Sequence, residues 1–343
     1  MSHFEREVLE QPDVLQRLLD GDEPKRVAAA LRAADCPLIV TLARGSSDNA
    51  VTFFGYLAGR YLGLPVASMP PSLLTVYGSQ MRVEKAIAIA VSQSGRSEDV
   101  RRSLESLEAS GALTVAITND PESPLANAAD LELQQLAGEE QAVAATKTFT
   151  SQMMLLALLV AYWSGNEELL AALQAVPGAM RELLTERQEV AHAALRLTHA
   201  DEAYVLGRGF SFAVAQEVAL KLKETSYMGT QAYSAAEFQH GPIAALSSRA
   251  PVLLLATGDA TREPNALAVA RLHELQADLT VMSSATELLA GANAAVPLPA
   301  GLHSATEAFL LVLAGQLLAL HLSVSRGYDP DSPRNISKVT RTI

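Results

Sequence analysis

Short apolar runs alternate with longer amphipathic stretches along most of this chain. Three of the runs, at 38–43, 86–91 and 113–118, are apolar almost throughout, and each is followed by a polar loop and a helical pattern. Strands that are apolar without alternation are typical of parallel sheets, in which helices bury both faces. The pattern therefore predicts an α/β fold with a doubly wound parallel sheet.

Helices are predicted at the start of the chain and in its two most apolar stretches. The first 33 residues have a helical pattern, with a break near Asp20–Pro24 where turn-forming residues cluster. The stretches at 153–163 and 308–322 fall short of the about 18 apolar residues that indicate a membrane span. We interpret them as buried helices, so no membrane association is expected.

The strand-loop-helix pattern starts again in the second half of the chain. Arg44-Gly45-Ser46-Ser47 lines up with Arg208-Gly209-Phe210-Ser211 (208 − 44 = 164), and Thr146-Lys147-Thr148-Phe149 with Thr306-Glu307-Ala308-Phe309 (306 − 146 = 160). A third match joins the strand at 86–91 to the run at 251–256. Three matches in one order at nearly one spacing indicate an internal duplication. The predicted organisation is a helical segment at 1–33, a first domain at 34–165, a helical connector at 166–198, a second domain at 199–325 and a tail at 326–343.

Charge, cysteine content and missing motifs limit the classes of partner. The chain has 26 Lys and Arg against 38 Asp and Glu, a net charge of −12, which argues against nucleic-acid binding. Cys36 is the only cysteine and no secretion signal opens the chain, so we expect a cytoplasmic protein.

Gly207-Arg208-Gly209 lacks the third glycine of a dinucleotide-binding loop, and the seven histidines form no metal motif. Neither a cofactor nor a metal is predicted.

Serine-rich loops follow two of the predicted strands. Ser92-Gln93-Ser94-Gly95-Arg96-Ser97 offers hydroxyls, an amide and backbone N–H groups at a helix N-terminus, where phosphate binds favourably. Ser46 and Ser47 hold the same place after the first strand, and ligands of such sheets bind at the carboxyl ends of strands, so the two loops are expected to converge. The alternative is that these serines only cap helices. In the second half Thr257-Gly258-Asp259 introduces a carboxylate, so a single phosphate site is expected, in the first half.

Acidic and basic residues share one face of a predicted helix at 212–224. Glu217, Lys221 and Glu224 are spaced i, i+4 and i+7. Taken alone, this spacing favours a surface ion pair that stabilises the helix by about 0.2–0.5 kcal/mol. The alternative is a proton-transfer set, in which a carboxylate tuned by burial acts as base and the ammonium stabilises a developing oxyanion. By themselves, His240 in a predicted turn and Lys338 in the tail are an ordinary loop histidine and a solvated lysine.

Five short motifs, taken together in this order, resemble a known family. They are Ser92-Gln93-Ser94-Gly95, Ala144-Ala145-Thr146-Lys147, Ala219-Leu220-Lys221-Leu222-Lys223-Glu224, Glu237-Phe238-Gln239-His240-Gly241-Pro242 and Pro333-Arg334-Asn335-Ile336-Ser337-Lys338. These strings resemble the isomerase half of glucosamine-6-phosphate synthase and its relatives with two sugar isomerase (SIS) domains, from about residue 25 to the end of the chain. The resemblance implies two tandem SIS domains, each a flavodoxin-like parallel sheet with helices on both faces.

The resemblance also implies which residues bind a hexose 6-phosphate. The phosphate ligands are Ser47, Ser92, Gln93, Ser94 and Ser97, and the residues that line the sugar are Ser46, Val143 and Ala144. Two positions depart from the family pattern, because Arg44 replaces a cysteine and Ala145 a serine. Contacts around the sugar therefore need not match those of the synthase.

By the same resemblance, Glu224 is the base that moves a proton between C1 and C2, with Lys221 and Glu217 as its supporting acid and charge partner. His240 resembles a residue that opens the sugar ring and reaches into the site of the neighbouring subunit, which implies a homodimer. Lys338 resembles a tail lysine that meets the open-chain carbonyl, which makes the tail a candidate lid.

These implied roles lead to one expected function and to alternatives. The leading expectation is a phosphosugar aldose–ketose isomerase and deaminase that converts glucosamine 6-phosphate to fructose 6-phosphate and ammonia. The chain opens with Met1-Ser2-His3 and not with the cysteine nucleophile of the synthase, so no glutaminase activity is expected. The alternatives are a fructosamine-6-phosphate deglycase or another sugar-phosphate isomerase, and a non-catalytic sugar-phosphate sensor, which would need no proton-transfer set.

Overall fold

The computed structural model describes residues 1–338, and the chain divides into two compact units. The unit formed by 13–140, 147–174 and 335–338 is here named the first unit. The unit formed by 1–12, 141–146 and 175–334 is named the second unit. Residues 339–343, the end of the predicted lid, lie outside the described residues.

Ten strands and fourteen α-helices form within residues 1–338. The strands are β1 (Leu38–Leu42), β2 (Val66–Ser68), β3 (Ala86–Val91), β4 (Leu113–Thr118), β5 (Leu131–Gln134), β6 (Glu202–Gly207), β7 (Gly229–Ser234), β8 (Pro251–Ala256), β9 (Asp278–Ser283) and β10 (Ala294–Pro297). The helices are α1 (His3–Leu9), α2 (Gln11–Leu19), α3 (Glu23–Ala34), α4 (Ser46–Tyr61), α5 (Ser72–Thr75), α6 (Glu98–Ala109), α7 (Lys147–Ser164), α8 (Glu167–Thr185), α9 (Gln188–Arg196), α10 (Phe210–Ser226), α11 (Ala235–Phe238), α12 (Arg262–Glu274), α13 (Thr286–Leu289) and α14 (Ser304–Ser325).

Both units contain a parallel five-stranded sheet with helices on both sides, and the two sheets have the same strand order. The first sheet runs β2-β1-β3-β4-β5 and the second runs β10-β9-β8-β6-β7. Counted within each sheet, both orders are 2-1-3-4-5, the flavodoxin-like arrangement. In such sheets ligands bind at the switch point between the first and third strands. The predicted α/β class and the flavodoxin-like sheets are confirmed.

Burial explains why the central strands could be identified from sequence. All six residues of β3 are buried. In the first unit, Ala88 and Ala90 belong to the same core as Leu104 of α6. In the second unit, Leu254 of β8 shares a core with Leu272 of α12. Because both faces of these strands are covered, their sequences are continuous apolar runs, and the predictions for 86–91, 113–118 and 251–256 are confirmed with the same bounds.

The strands β2 and β7 at the sheet edges were not predicted. β2 has three residues, two of which are exposed, and β7 buries one of its six. Strands at the edge of a sheet have a neighbour on one side only and bury fewer side chains here, so no apolar run marks them.

Helix α4, which follows β1, begins at Ser46. Gly45 precedes it with φ 57° and ψ −131°, a conformation close to one that only glycine adopts readily. Gly209 precedes α10 with φ 63° and ψ −132°, as expected for a duplicated loop. The polar residues 46–49, which the sequence pattern places in the loop after the first strand, form the first turn of the helix instead, where short polar side chains are well tolerated.

Helix α14 is the one helix in residues 1–338 that is long and apolar enough to cross a membrane. Its most apolar window has a mean hydropathy of 1.9, and 83% of that window is buried. A core helix of a soluble protein passes the same test, so this is weak evidence for a membrane span. α14 packs against α9 and α10, which confirms the buried helix predicted at 308–322.

Candidate active site

The two serine loops lie side by side in the first unit. β1 and β3 are hydrogen-bonded neighbours, with Leu42 paired to Ala90, so their carboxyl ends reach the same edge of the sheet. One loop leads into Ser46 and Ser47, and the other contains Ser92 to Ser97. Both loops flank the switch point of the first sheet, where ligands bind in this arrangement. The predicted convergence of the loops is confirmed.

The loop after β3 is held by its own hydrogen bonds. The Gly95 N–H donates to Ser92 Oγ at 3.2 Å, and the Arg96 N–H donates to Ser94 Oγ at 3.3 Å. Ser92 is buried, whereas Gln93, Ser94 and Ser97 are half-buried. Ser97 is the N-cap residue of α6, but its side chain caps no backbone N–H. The alternative that the loop serines only cap helices therefore does not apply to Ser97.

Gly95 allows the serine loop to close against the residues that follow β4. Its φ is 62°, and a Cβ at this position would lie 2.1 Å from Ser123 Oγ. The Leu125 N–H donates to the Gly95 carbonyl at 3.1 Å, which holds the backbone at this close approach. Since a side chain has neither the space nor the preferred backbone conformation here, the position requires glycine.

Arg44, which follows β1, reaches the helix that follows the serine loop. Its Nε and Nη2 donate to Asp99 Oδ2 at 3.0 Å and 2.8 Å. The Asp99 side chain is 1% exposed and that of Arg44 is 49% exposed. The ion pair therefore joins the start of α6 to the loop after β1, across the switch point.

Helix α10 carries the predicted acid–base residues in the second unit. Lys221 Nζ lies 3.3 Å from Glu217 Oε1 and 2.5 Å from Glu224 Oε2. The side chains of Lys221 and Glu217 are 0% and 1% exposed, whereas that of Glu224 is 21% exposed. The surface ion pair that the spacing alone favours is therefore wrong. Glu224 is the member of this set that solvent, and hence a ligand, can reach.

Opposing effects act on the Lys221 ammonium. Burial alone would lower the pKa of Lys221, but the charges of Glu217 and Glu224 outweigh burial, so the pKa is raised above its ordinary value. Lys221 therefore stays charged at neutral pH. A permanently charged ammonium is suited to stabilising negative charge and not to accepting a proton.

His240 lies apart from the acid–base set. It is exposed, just after α11, and its backbone N–H donates to the Glu237 carbonyl at 3.0 Å. Within residues 1–338, no hydrogen bond or ion pair joins the His240 side chain to Glu217, Lys221 or Glu224. The structure of one chain thus does not bring His240 together with the residues it is predicted to assist.

The predicted sugar-lining residues Val143 and Ala144 belong to the second unit. Ala144 is buried and Val143 is half-buried. The Val143 N–H donates to the Asp331 carbonyl at 3.3 Å, so this segment is held by the start of the tail. Ser46, the third predicted sugar-lining residue, is half-buried in the first unit at the start of α4.

Lys338 is anchored in the first unit and is not a freely solvated tail residue. Its Nζ lies 2.6 Å from Oε2 of Glu140, whose side chain is 0% exposed. Glu140 also accepts hydrogen bonds from the Thr148 N–H at 3.1 Å and the Thr148 hydroxyl at 2.8 Å. The interpretation of Lys338 as solvated, which its sequence context alone favours, is wrong.

The loop after β8 corresponds to the serine loop, but a carboxylate from α14, that of Glu307, is hydrogen-bonded to it. The Gly258 N–H and the Ser284 hydroxyl donate to Glu307 at 2.6 Å and 2.5 Å. Asp259, the residue expected to disfavour phosphate here, accepts hydrogen bonds from the Thr261 N–H and hydroxyl. Two carboxylates thus occupy the region of this loop, in keeping with the expectation of a single phosphate site.

Sequence reasoning missed Asp99 and Glu140. Asp99 follows the serine loop, but an acid in the first turn of a helix is common and gives no sign of a distant partner. Glu140 lies four residues before Ala144, outside every motif. Within residues 1–338, no group of three or more His, Cys, Asp or Glu side chains is arranged to hold a metal ion.

Comparison with protein families gives two matches to the SIS domain, at residues 34–162 and 196–326. The chain belongs to the SIS domain family. The first match contains β1 to β5 and the second contains β6 to β10, so each SIS domain corresponds to one of the two sheets. Curated relatives include glutamine–fructose-6-phosphate aminotransferase, which is another name for glucosamine-6-phosphate synthase, and the chain matches about half of its length. The resemblance to the isomerase half of the synthase is therefore confirmed.

The relatives include enzymes of phosphosugar metabolism. Glutamine–fructose-6-phosphate aminotransferase (isomerizing) of Aeropyrum pernix is 33% identical over 97% of this chain and 56% of its own length. The chain thus spans about half the length of the curated relatives it matches. A candidate phosphosugar isomerase from Silicibacter pomeroyi DSS-3 has a crystal structure with 36% identity, a TM-score of 0.88, and coverage of 96% of this chain and 100% of that one. Glucosamine-6-phosphate deaminase from Thermotoga maritima, at 23% identity, a TM-score of 0.79 and coverage of 99% and 100%, shows a similar fold.

Proposed function

We propose that this protein is a phosphosugar isomerase and deaminase that converts glucosamine 6-phosphate and water to fructose 6-phosphate and ammonia. The observation that carries the proposal is the buried set of Glu217, Lys221 and Glu224, in which the solvent-accessible member is a carboxylate. Burying the charges of Glu217 and Lys221 costs stability, and a protein that only senses a sugar phosphate does not need this set of charges. The set therefore favours turnover over sensing.

The serine loops supply the phosphate site in this proposal. Ser47, Ser92, Gln93, Ser94 and Ser97 present hydroxyl and amide donors beside the N-termini of α4 and α6, where helix dipoles favour an anion. Neutral donors bind phosphate without adding positive charge to an acidic protein.

Cys36 is unpaired, which fits a reducing compartment such as the cytoplasm.

The proposed chemistry is a proton transfer followed by hydrolysis. With the sugar ring open, Glu224 removes the proton from C2 while the Lys221 ammonium stabilises the negative charge that develops on O1. Glu224 then returns the proton to C1, and O1 takes up the proton that the C2 nitrogen loses, which leaves a hydroxyl at C1 and an imine at C2. Water adds to this imine and ammonia leaves, giving the C2 ketone of fructose 6-phosphate. Glu217 keeps Lys221 charged, and Lys338 would meet the open-chain carbonyl.

The exposed position of His240 is explained if it assists ring opening in a neighbouring copy of the chain. This role requires a homodimer with two-fold symmetry. Mixing inactive Glu224→Gln with inactive His240→Ala chains should then restore up to about a quarter of the wild-type activity, since one of two sites in each mixed dimer is intact. No recovery after subunit exchange would contradict the shared site.

The central test is the reaction itself with the full chain. Purified protein and glucosamine 6-phosphate should yield equal amounts of fructose 6-phosphate and ammonia. Glu224→Gln should lower kcat by about 10²–10⁴-fold. Glu202→Gln, at an exposed glutamate at the start of β6, is the matched control and should leave kcat unchanged.

The outcome also separates the alternatives. Wild-type protein without product, or a fully active Glu224→Gln variant, would refute the proposal. Turnover of fructosamine 6-phosphates or of another sugar phosphate, with none of glucosamine 6-phosphate, would assign the deglycase or the other isomerase instead.

A further inference from the structure

The ion pair between Arg44 and Asp99 connects two segments that are 55 residues apart in sequence. Each segment carries predicted phosphate ligands, since Arg44 is three residues before Ser47 and Asp99 is two residues after Ser97. Two N–H groups of the guanidinium point at one carboxylate oxygen, at 3.0 Å and 2.8 Å. The pair therefore fixes the distance between the two serine loops at the switch point.

Arg44 also balances the charge of two carboxylates beside the phosphate loops. Asp99 is buried, and a buried carboxylate needs a partner of opposite charge. Asp48, directly after Ser47, is half-buried. Burial raises the pKa of Asp48, and its hydrogen bond from Ser68 and the charge of Arg44 oppose that shift. Arg44 is thus the cation that pairs with Asp99 and whose charge acts on Asp48 at these loops.

The second unit provides an internal control for this ion pair. Arg208 corresponds to Arg44 (208 − 44 = 164), and Glu263, the second residue of α12, corresponds to Asp99, the second residue of α6 (263 − 99 = 164). Among the described residues 1–338, no ion pair involves Arg208. Gly209 nevertheless has the same backbone conformation as Gly45. The loop thus forms without the ion pair, so the fold itself does not require it.

We propose that Arg44 is a positioning residue for the phosphate-bearing substrate, which it serves by tying the two serine loops together through Asp99. This inference rests on the proposed function, in which those loops bind the phosphate of a six-carbon sugar. The ion pair occurs in the half of the chain that has the serines and is missing from the half that has Asp259. Arg44 therefore sets substrate affinity, and the acid–base residues of α10 set the rate of the chemical step.

The test compares Arg44→Ala with Arg208→Ala, its counterpart in the duplicated loop. Arg44→Ala should raise the KM for glucosamine 6-phosphate about 10- to 100-fold, the effect of losing hydrogen bonds to a charged partner, with kcat changed less than about threefold. Arg208→Ala should leave both constants unchanged. Hydrogen exchange of the amides at 44–49 and 92–99 should become faster in Arg44→Ala and stay unchanged in Arg208→Ala.

A double-mutant cycle tests whether Arg44 acts through Asp99. Asp99→Asn should raise KM as well, and Asp99→Asn combined with Arg44→Ala should be no worse than Arg44→Ala alone. If Asp99→Asn does not fold, Arg44→Lys replaces it, because a lysine keeps the charge but not the fork geometry, and an intermediate KM is expected.

Several results would overturn the inference. They are equal effects of Arg44→Ala and Arg208→Ala, a loss of kcat at unchanged KM, and additive effects of Arg44→Ala and Asp99→Asn. If the wild-type protein turns over no sugar phosphate, the proposed function fails. The inference is then decided by hydrogen exchange and by binding of inorganic phosphate, which should both respond to Arg44→Ala and not to Arg208→Ala.

Discussion

Replacing Gly95 by alanine should destabilise the protein through two separate effects. Gly95 has a φ of 62°, and a residue with a Cβ is destabilised by about 1–2 kcal/mol in this left-handed region. The new Cβ would lie 2.1 Å from Ser123 Oγ and 2.4 Å from Ser123 Cβ. Ser123 is 0% exposed and its Oγ accepts the Ala126 N–H, so it cannot simply turn away. Overpacking of this kind costs about 1–3 kcal/mol, so the expected loss is about 2–5 kcal/mol in the free energy of unfolding.

A second glycine separates the two effects. Gly63 has a φ of 68°, and its Cβ would meet nothing within 4 Å, so Gly63→Ala should cost only about 1–2 kcal/mol. Adding Ser123→Gly to Gly95→Ala removes both close contacts and should recover about 1–3 kcal/mol. Urea unfolding followed by circular dichroism measures all of these variants. The KM of Gly95→Ala for glucosamine 6-phosphate should rise as well, because the serine loop must shift.

Equal destabilisation by Gly95→Ala and Gly63→Ala would refute this reasoning. So would the absence of any recovery in the Gly95→Ala, Ser123→Gly protein. Either result would mean that the serine loop has room to relax and that its geometry is not set by the contact with Ser123.

Two further predictions concern carboxylates in the two units. Glu140→Gln removes the charge that holds Lys338 at 2.6 Å, so trypsin should cleave after Lys338 several times faster in this variant than in Thr148→Ala. Thr148→Ala removes one hydroxyl donor to Glu140 but keeps the ion pair, and equal cleavage rates in the two variants would show that the pair does not hold the tail. Burial raises the pKa of Glu307, although hydrogen bonds from Ser284 and Gly258 oppose the shift. A group with a raised folded-state pKa contributes stability below its unfolded pKa and loses it as pH rises through the folded value. Urea unfolding should therefore show wild-type protein losing stability relative to Glu307→Gln as pH rises from about 4, and a difference independent of pH would contradict the shift.

Features that depend on local sequence were predictable. The six apolar residues at 86–91 identify a strand buried on both faces, because any exposed face would carry polar residues. Gly45 and Gly209 mark equivalent turns, since few other residues adopt their backbone conformation. The edge strand β2 was not predictable, because two of its three residues are exposed and its position depends on pairing with β1.

By itself, the sequence determined the two parallel sheets, their duplication and the chemical character of the serine loops, since these follow from apolar runs and short-range spacing. Tertiary structure decided which charges are buried. The spacing of Glu217 and Lys221 is the same in a surface ion pair and in a buried acid–base set, and only the packing around α10 distinguishes them. Arg44 meets Asp99, and Lys338 meets Glu140, across 55 and 198 residues of sequence. Such pairs form because the fold brings distant segments together, and no local pattern records that.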